Sequence, residues 1–242
     1  MTKIFAPAKL TLSLVITGVR SDGFHLIEAE MVSLDIADEI EITASDTTTI
    51  TISGPFASGV PTDSTNLVAR ALSLAGRNAN VHIQKNIPNG GGLGGGSTDA
   101  AAVLRWADWD DAPGAAVVGA DIPFCLVGGR ALVTGIGEIV TPLPHIDKDF
   151  TLFLPPISAS TPAVYREWDA MGGPKGPNGN DLEPAAISAF PELGQWRDRV
   201  QTAIGSTLRL AGSGSTWFAD GHVYQGLDQI SDVQVVYATT RP

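Results

Sequence analysis

The segment "PNGGGLGGGSTDAAAVL", residues 88–104, places six glycines in the seven positions from Gly90 to Gly96. Ordering that much glycine costs backbone entropy and returns no side-chain packing, so a folded chain keeps such a run only where bare main chain is needed. The run follows the strand-patterned "NVHIQKNI" and precedes "AAAVLRWA", whose apolar spacing is helical. Ser97, Thr98 and Asp99 stand where N-caps of that helix are expected.

Three readings of the run compete. A flexible linker fits poorly between a patterned strand and a capped helix. Gly90, Gly92 and Gly95 satisfy G-x-G-x-x-G, but the dinucleotide fingerprint also needs a βαβ unit with an acidic residue closing the next strand. Here helix and loop follow, and Asp121 lies in "GADIPF". A phosphate cradle fits best, because glycines let amides turn toward an anion and the new helix adds its positive dipole end. No Gly-Lys-Ser/Thr closes the loop, so it is not a Walker sequence.

The chain of 242 residues suffices for one large domain or two small ones. Fifteen Lys and Arg against 26 Asp and Glu leave a formal charge of -11. That argues against a broad nucleic-acid or anionic-membrane surface, but not against a small anion held by local cations and amide dipoles. Cys125 is the single cysteine, which excludes an internal disulfide and a cysteine zinc cluster and fits a reducing cytoplasm. The opening "MTKIFAPAKLTLSLVITG" is interrupted by Lys9 and reads as a buried strand rather than a signal peptide. No stretch is long enough to span a bilayer.

The patterning predicts an α+β fold in two halves. Strands are expected over "KLTLSLVI", "EAEMVSLD", "DEIEITAS" and "TTITIS", a helix over "DSTNLVARALSLAG", and a short helix in "PGAAVVGA". "GRALVTGIGEIVTPL" reads as a strand and a glycine turn. A boundary near residues 144–149 divides the chain into an N-terminal domain, 1–146, and a C-terminal domain, 147–242. In the second half "FTLFLP", "TLRLAGSGSTWFA" and "VQVVYAT" read as strands, "TPAVYREWDAM" and "PELGQWRDRVQTAI" as helices.

Individual residues carry two readings each. Lys9 sits inside an apolar strand, where a buried cation needs a partner. Asp121 lies between a glycine-alanine step and an apolar segment, open to a structural ion pair, a helix cap or a catalytic role. Ser97 can cap its helix or lend a hydroxyl to a cation. Asn66 reads as a helix-start residue, Phe24 and Tyr165 as core aromatics, His25 as a turn residue, and Gly212 and Gly214 as a strand-to-strand turn.

Five stretches in order, "APAKLTLSLVITGVRSDGFH", "DSTNLVARA", "PNGGGLGGGSTDAA", "GADIPFCL" and "LAGSGSTWFA", resemble the GHMP small-molecule kinases nearly end to end. "GIGEIVTPL", "STPAVYREWD" and "NDLEPAAI" are similar to the branch that phosphorylates a cytidine-diphosphate-linked methylerythritol on its 2-hydroxyl. The resemblance implies a two-lobed fold with the active site in the cleft between lobes, and ATP with Mg²⁺ as cofactors. It implies that Asn66 and the loop residues Pro88, Asn89, Gly90, Gly91, Gly92, Leu93, Gly94, Gly95, Gly96, Ser97 and Thr98 bind ATP, Ser97 also meeting the metal. Asp121 would be the general base and Lys9 its cationic partner. Phe24, His25 and Tyr165 would hold the cytosine, Thr11 would touch the substrate, and Gly212 and Gly214 would close over it. The implied partner is this small molecule, with no nucleic acid or membrane, in a cytoplasmic monomer or homodimer.

Three features depart from the family pattern. Thr11 stands where asparagine is usual, Phe24 where tyrosine is usual, and the span between "GGGSTDAA" and "GADIPF" is shorter by roughly a helix and its turn. A kinase of the same family with another alcohol, or a silent nucleotide-binding homologue, is the alternative. Retention of Lys9, Asp121 and the loop speaks against the silent homologue.

Overall fold

The structure is a computed structural model that describes residues 1–242. Two long antiparallel strands, β1 (Thr2–Val19) and β2 (His25–Ala44), form its spine. Beside β2 run β3 (Thr49–Ser53) and β4 (Ala79–Gln84), parallel to each other and joined through helix α1 (Leu67–Leu74). A parallel pair needs such a crossover, since no hairpin can connect it. Helix α2 (Gly95–Trp106), a 3-10 turn at Pro113–Val117 and the short helix α3 (Ile122–Val127) follow. Strands β5 (Arg130–Gly135) and β6 (Ile139–Leu143) then add to the other part of β2.

Residues 144–148 lead into β7 (Asp149–Leu154), after which come α4 (Thr161–Ala170), α5 (Glu183–Ala189) and α6 (Pro191–Ile204). Strands β8 (Arg209–Leu210), β9 (Trp217–Asp220) and β10 (Gln234–Arg241) complete an antiparallel sheet in the order β10-β7-β9-β8. Strand β10 joins the two parts, because Thr240 and Arg241 pair with Leu34 and Ser33 of β2. The α+β expectation holds.

One sequence expectation changes. "EAEMVSLD" and "DEIEITAS" are not separate strands but the two ends of β2, which runs unbroken for 20 residues. What looked like a break is a change of partner. Pro7 of β1 lies opposite Ala37, yet Lys9 lies opposite Ser33, so β2 carries extra residues at this irregularity. Proline offers no N–H to the ladder, which makes it a natural place for pairing to slip. The surplus residue Leu34 takes its partner from β10 instead, and Asp35 accepts the Thr239 amide at 2.8 Å.

The core follows these joins. Residues Thr98 to Leu104 of α2 are all buried, and the three alanines 100–102 let neighbouring elements approach closely. A second cluster packs Ala8, Leu10, Val32, Leu34 and Leu93 against Phe150, Leu152 and Phe218 of the C-terminal sheet. There the Phe150 and Phe218 rings meet edge to face, 5.8 Å apart. Replacing Phe218 by Ala should cost about 3–5 kcal/mol. Urea unfolding should show a lower midpoint at unchanged slope. A loss under about 1 kcal/mol would mean that this cluster does not hold the halves together.

Candidate active site

The irregularity in β1 positions the first site residues. At Lys9 the main-chain N–H leaves the ladder and donates to Leu93 of the glycine loop at 3.0 Å. The Thr98 hydroxyl donates to the Pro7 carbonyl at 2.7 Å. The loop is therefore fixed to β1 on both sides of its last glycines. Leu93 is fully buried beside Leu10 and Phe150, so only its main chain can face a ligand.

Helix α2 begins earlier than the sequence indicates. Gly94, in the left-handed conformation at φ 71°, is the cap residue, with no side-chain cap, and Gly95 and Gly96 already belong to the helix. Ser97, Thr98 and Asp99 are thus inside it and not its caps. The consequence is chemical. No N–H from Gly90 to Ser97 donates to a main-chain carbonyl, while the carbonyls of Gly91, Leu93 and Gly94 accept from Thr216, Lys9 and Thr98. Carbonyls already committed and amides without main-chain acceptors are what an anion site at a helix N-terminus requires.

The loop packs on the second glycine turn. A Cβ on Gly92 would lie 2.5 Å from the Ala211 carbonyl and 3.0 Å from that of Gly214, so only glycine permits this approach. Asn180 holds the turn from the other side, donating to the Leu210 and Gly212 carbonyls at 2.9 and 2.7 Å. Its neighbour Asp181 accepts the Ile16 amide of β1 at 2.9 Å. This polar clasp fixes Gly212 relative to β1.

Lys9 is buried, and its ammonium lies 3.1 Å from Asp121 and 3.2 Å from the Thr11 hydroxyl, to which it donates. Thr11, where the family usually has asparagine, thus turns its hydroxyl to Lys9. Asp121 occupies the cap position of α3, but its carboxylate caps nothing. That frees it for Lys9. The pair opens into a cavity of about 220 Å³ between the two halves. Thr11, Gly92, Ser97, Tyr165 and Gly212 line it too, bringing seven of the sequence-selected residues together. Burial raises the Tyr165 phenol well above its usual range, and the Asp121 charge adds to this. Burial likewise pushes the Cys125 thiol up to about 12, so it is no nucleophile.

Other residues lie elsewhere. Pro88, Asn89 and Gly91 border a second cavity of about 240 Å³ with Phe56, Ser215 and Thr216. Asn66 is the cap of α1, accepting the Val68 amide at 2.8 Å and donating to Pro61 at 2.6 Å. His25 packs on Tyr165 at 4.7 Å and bonds Asp169 through Nε2 at 2.8 Å, while Phe24 is exposed on the β1–β2 turn. Gly214 adopts φ 91° in the turn beside the loop. Sequence reasoning missed Thr161 and Ser213, whose hydroxyls meet at 2.7 Å on the cavity wall, and Ile136 and Gly137 opposite them. A short hydroxyl at the start of a helix, as Thr161, or in a turn, as Ser213, carries no signal of its own. The shortened connection to Asp121 contains only the 3-10 turn. No helix is long and apolar enough to cross a membrane.

Residues 64–129 match the family described as GHMP kinases N terminal domain. The chain is 38% identical to the 4-diphosphocytidyl-2-C-methyl-D-erythritol kinase of Paracoccus denitrificans, over 88% of this chain and 84% of that one. It is 36% identical to the enzyme of the same name from Ruegeria pomeroyi, over 90% and 89%. A crystal structure of 4-(cytidine 5'-diphospho)-2C-methyl-D-erythritol kinase aligns over 100% of both chains with a TM-score of 0.74 at 30% identity. The L. major mevalonate kinase in complex with R-mevalonate shares the fold alone, at a TM-score of 0.68 and 14% identity over 100% and 96% of the chains.

Gly92→Ala isolates the loop's packing. It combines a left-handed backbone cost of about 1–2 kcal/mol with the clash against the second turn. Gly90→Ala has a similar φ but open space around its Cβ, and serves as the control. Calorimetric titration with ATP should show at least about tenfold weaker binding for Gly92→Ala than for Gly90→Ala. Equal affinities would detach the loop's packing from ligand binding.

Proposed function

Because this chain belongs to the 4-diphosphocytidyl-2-C-methyl-D-erythritol kinases, a branch of the GHMP kinases, we infer that it transfers the terminal phosphoryl group of ATP to the 2-hydroxyl of that diphosphocytidyl alcohol. The reaction is a step of non-mevalonate isoprenoid precursor synthesis. One observation supports it above the rest: Gly92 and Ser97 of the glycine loop, whose amides have no main-chain acceptor, line the same cavity as the Lys9–Asp121 pair.

The residues divide the work. The loop amides and the start of α2 hold the phosphate oxygens without needing a full positive charge. The Asp121 carboxylate accepts the proton of the acceptor hydroxyl. As that proton leaves, the alcohol oxygen forms its bond to the terminal phosphorus, the bond to the bridging oxygen breaks, and ADP departs. The Lys9 ammonium stabilises the negative charge that grows on the acceptor oxygen. Thr11 keeps Lys9 aimed, and the apolar wall of Leu14, Ile27 and Met31 excludes water from the acceptor side.

Magnesium bound with ATP would supply charge neutralisation of the phosphates. Ser97 is the residue we assign to it, since it lines the cavity while the Thr98 hydroxyl is committed to Pro7. The diphosphocytidyl end belongs on the side of Tyr165, where His25 stacks and Phe24 adds an exposed ring. We place the enzyme in the cytoplasm, where ATP is made and the single Cys125 stays reduced.

A coupled assay of ADP release with ATP, Mg²⁺ and the diphosphocytidyl alcohol should show turnover. Asp121→Asn should lower kcat about 100-fold or more. ATP affinity should stay within about twofold, because the residue touches the acceptor side. Unchanged turnover removes Asp121 from the chemistry. CMP and CDP should compete with the acceptor, whereas an enzyme for another alcohol would ignore both.

A further inference from the structure

A buried ionic cluster lies directly behind the glycine loop, and the reaction does not use it. Lys85 follows β4 with its side chain 3% exposed, and its ammonium donates to Asp38 of β2 and, at 2.5 Å, to Asp99 of α2. The remaining Asp38 oxygen accepts the amides of Asn86 and Ile87 at 2.5 and 2.8 Å. These are the last residues before the loop. Asp99 lies in the second turn of the helix that leaves it. A Cβ on Gly95 would come within 3.3 Å of the Lys85 nitrogen, so the ammonium sits against the start of α2.

The cluster therefore holds both ends of the loop. It ties the strand end at Ile87 to the helix start at Gly95 from behind, where the bonds from Lys9 and Thr98 do not reach. We propose that Lys85, Asp38 and Asp99 are positioning residues for nucleotide binding, a single ammonium fixing the separation of the loop's two ends and so the spacing of the amides that receive the triphosphate. The proposal rests on the reading of the loop as the nucleotide cradle.

The charge count gives the cluster a distinguishing property. Two carboxylates share one ammonium, and the second Asp99 oxygen is buried without a partner. Burial raises the Asp99 carboxyl to about 7; Lys85 opposes the rise and Asp38 adds to it. The other elements packed on α2 leave this balance alone. Helix α1 turns Val68, Ala71 and Leu72 inward, α3 turns Phe124 and the thiol Cys125, and Lys9 of β1 is paired with Asp121.

Two variants separate positioning from bulk stability. Asp99→Ala leaves a balanced Lys85–Asp38 pair and a good helix former, but frees α2 from Lys85. Asp99→Asn keeps an oxygen for Lys85 and removes the titration. Asp99→Ala should weaken ATP binding roughly tenfold, with Asn restoring it and the KM of the acceptor alcohol unchanged within about twofold. The folded carboxyl is raised from 3.8, so wild type should lose thermal stability relative to Asp99→Asn as pH rises from 3.8 toward about 7. Should wild type bind ATP while Asp99→Ala binds it equally well, or should Asp99→Asn fail to restore binding in a folded protein, the positioning role is overturned. A wild type that binds no ATP would instead overturn the functional reading.

Discussion

The structure depends on one lapse in pairing. Where Pro7 interrupts the β1–β2 ladder, the next residues are released from the sheet in a defined direction. The Lys9 amide takes the Leu93 carbonyl, the Pro7 carbonyl takes the Thr98 hydroxyl, and the surplus length of β2 takes β10. One irregularity thus anchors the glycine loop, turns Lys9 toward the cavity and ties the C-terminal sheet to the spine. A regular ladder would do none of these. Its hydrogen bonds would be complete, and Lys9 would have no route to the loop. The stability forgone in a few ladder bonds is regained in the aromatic cluster around Phe150 and Phe218.

The anion site works by dipoles more than by charge. The chain carries -11 overall, and Lys9 is the one cation lining the main cavity. A protein that bound triphosphate through several lysines would need to bury or pair each of them. Here the main chain supplies the donors, with its own carbonyls committed elsewhere. Such donors need no counter-ion, but they are useful only if held rigidly, because an amide dipole loses its benefit when it rotates away. Rigidity comes from outside the loop: the Gly92 contact with the second turn, the Asn180 clasp behind that turn, and Lys85 between two carboxylates.

The parts of this arrangement legible in the sequence are those made from chemically unusual choices. Six glycines before a helix, a lysine inside a strand and an aspartate before an apolar turn each break a local rule, and all three sit at the site. What escaped reading depends on distance in space. The unity of β2 hides because its centre pairs with a strand from the far end of the chain. Asn180 and Asp181 open "NDLEPAAI", a stretch that carries the resemblance but no sign that its polar side chains are buried, yet both are. Asp99 seemed a helix cap because Asp commonly is one; the left-handed Gly94 starts the helix sooner and carries Asp99 inward to Lys85.

That inward turn explains why the glycine run extends past the phosphate contacts. Glycine at 90, 92 and 94 is accounted for by positive φ. Gly95 has ordinary helical backbone, and there a side chain would meet the Lys85 ammonium and Ile87. Its smallness lets the buried cation stand against the first turn of α2 from behind while the same turn's amides face the cavity. A cation so placed opposes the dipole of the helix start, which alone would be unfavourable. Two carboxylates against the ammonium offset that opposition. The cluster is therefore best understood as a mechanical tie whose charge has been nearly cancelled, so that it can lie beneath an anion site without setting that site's field.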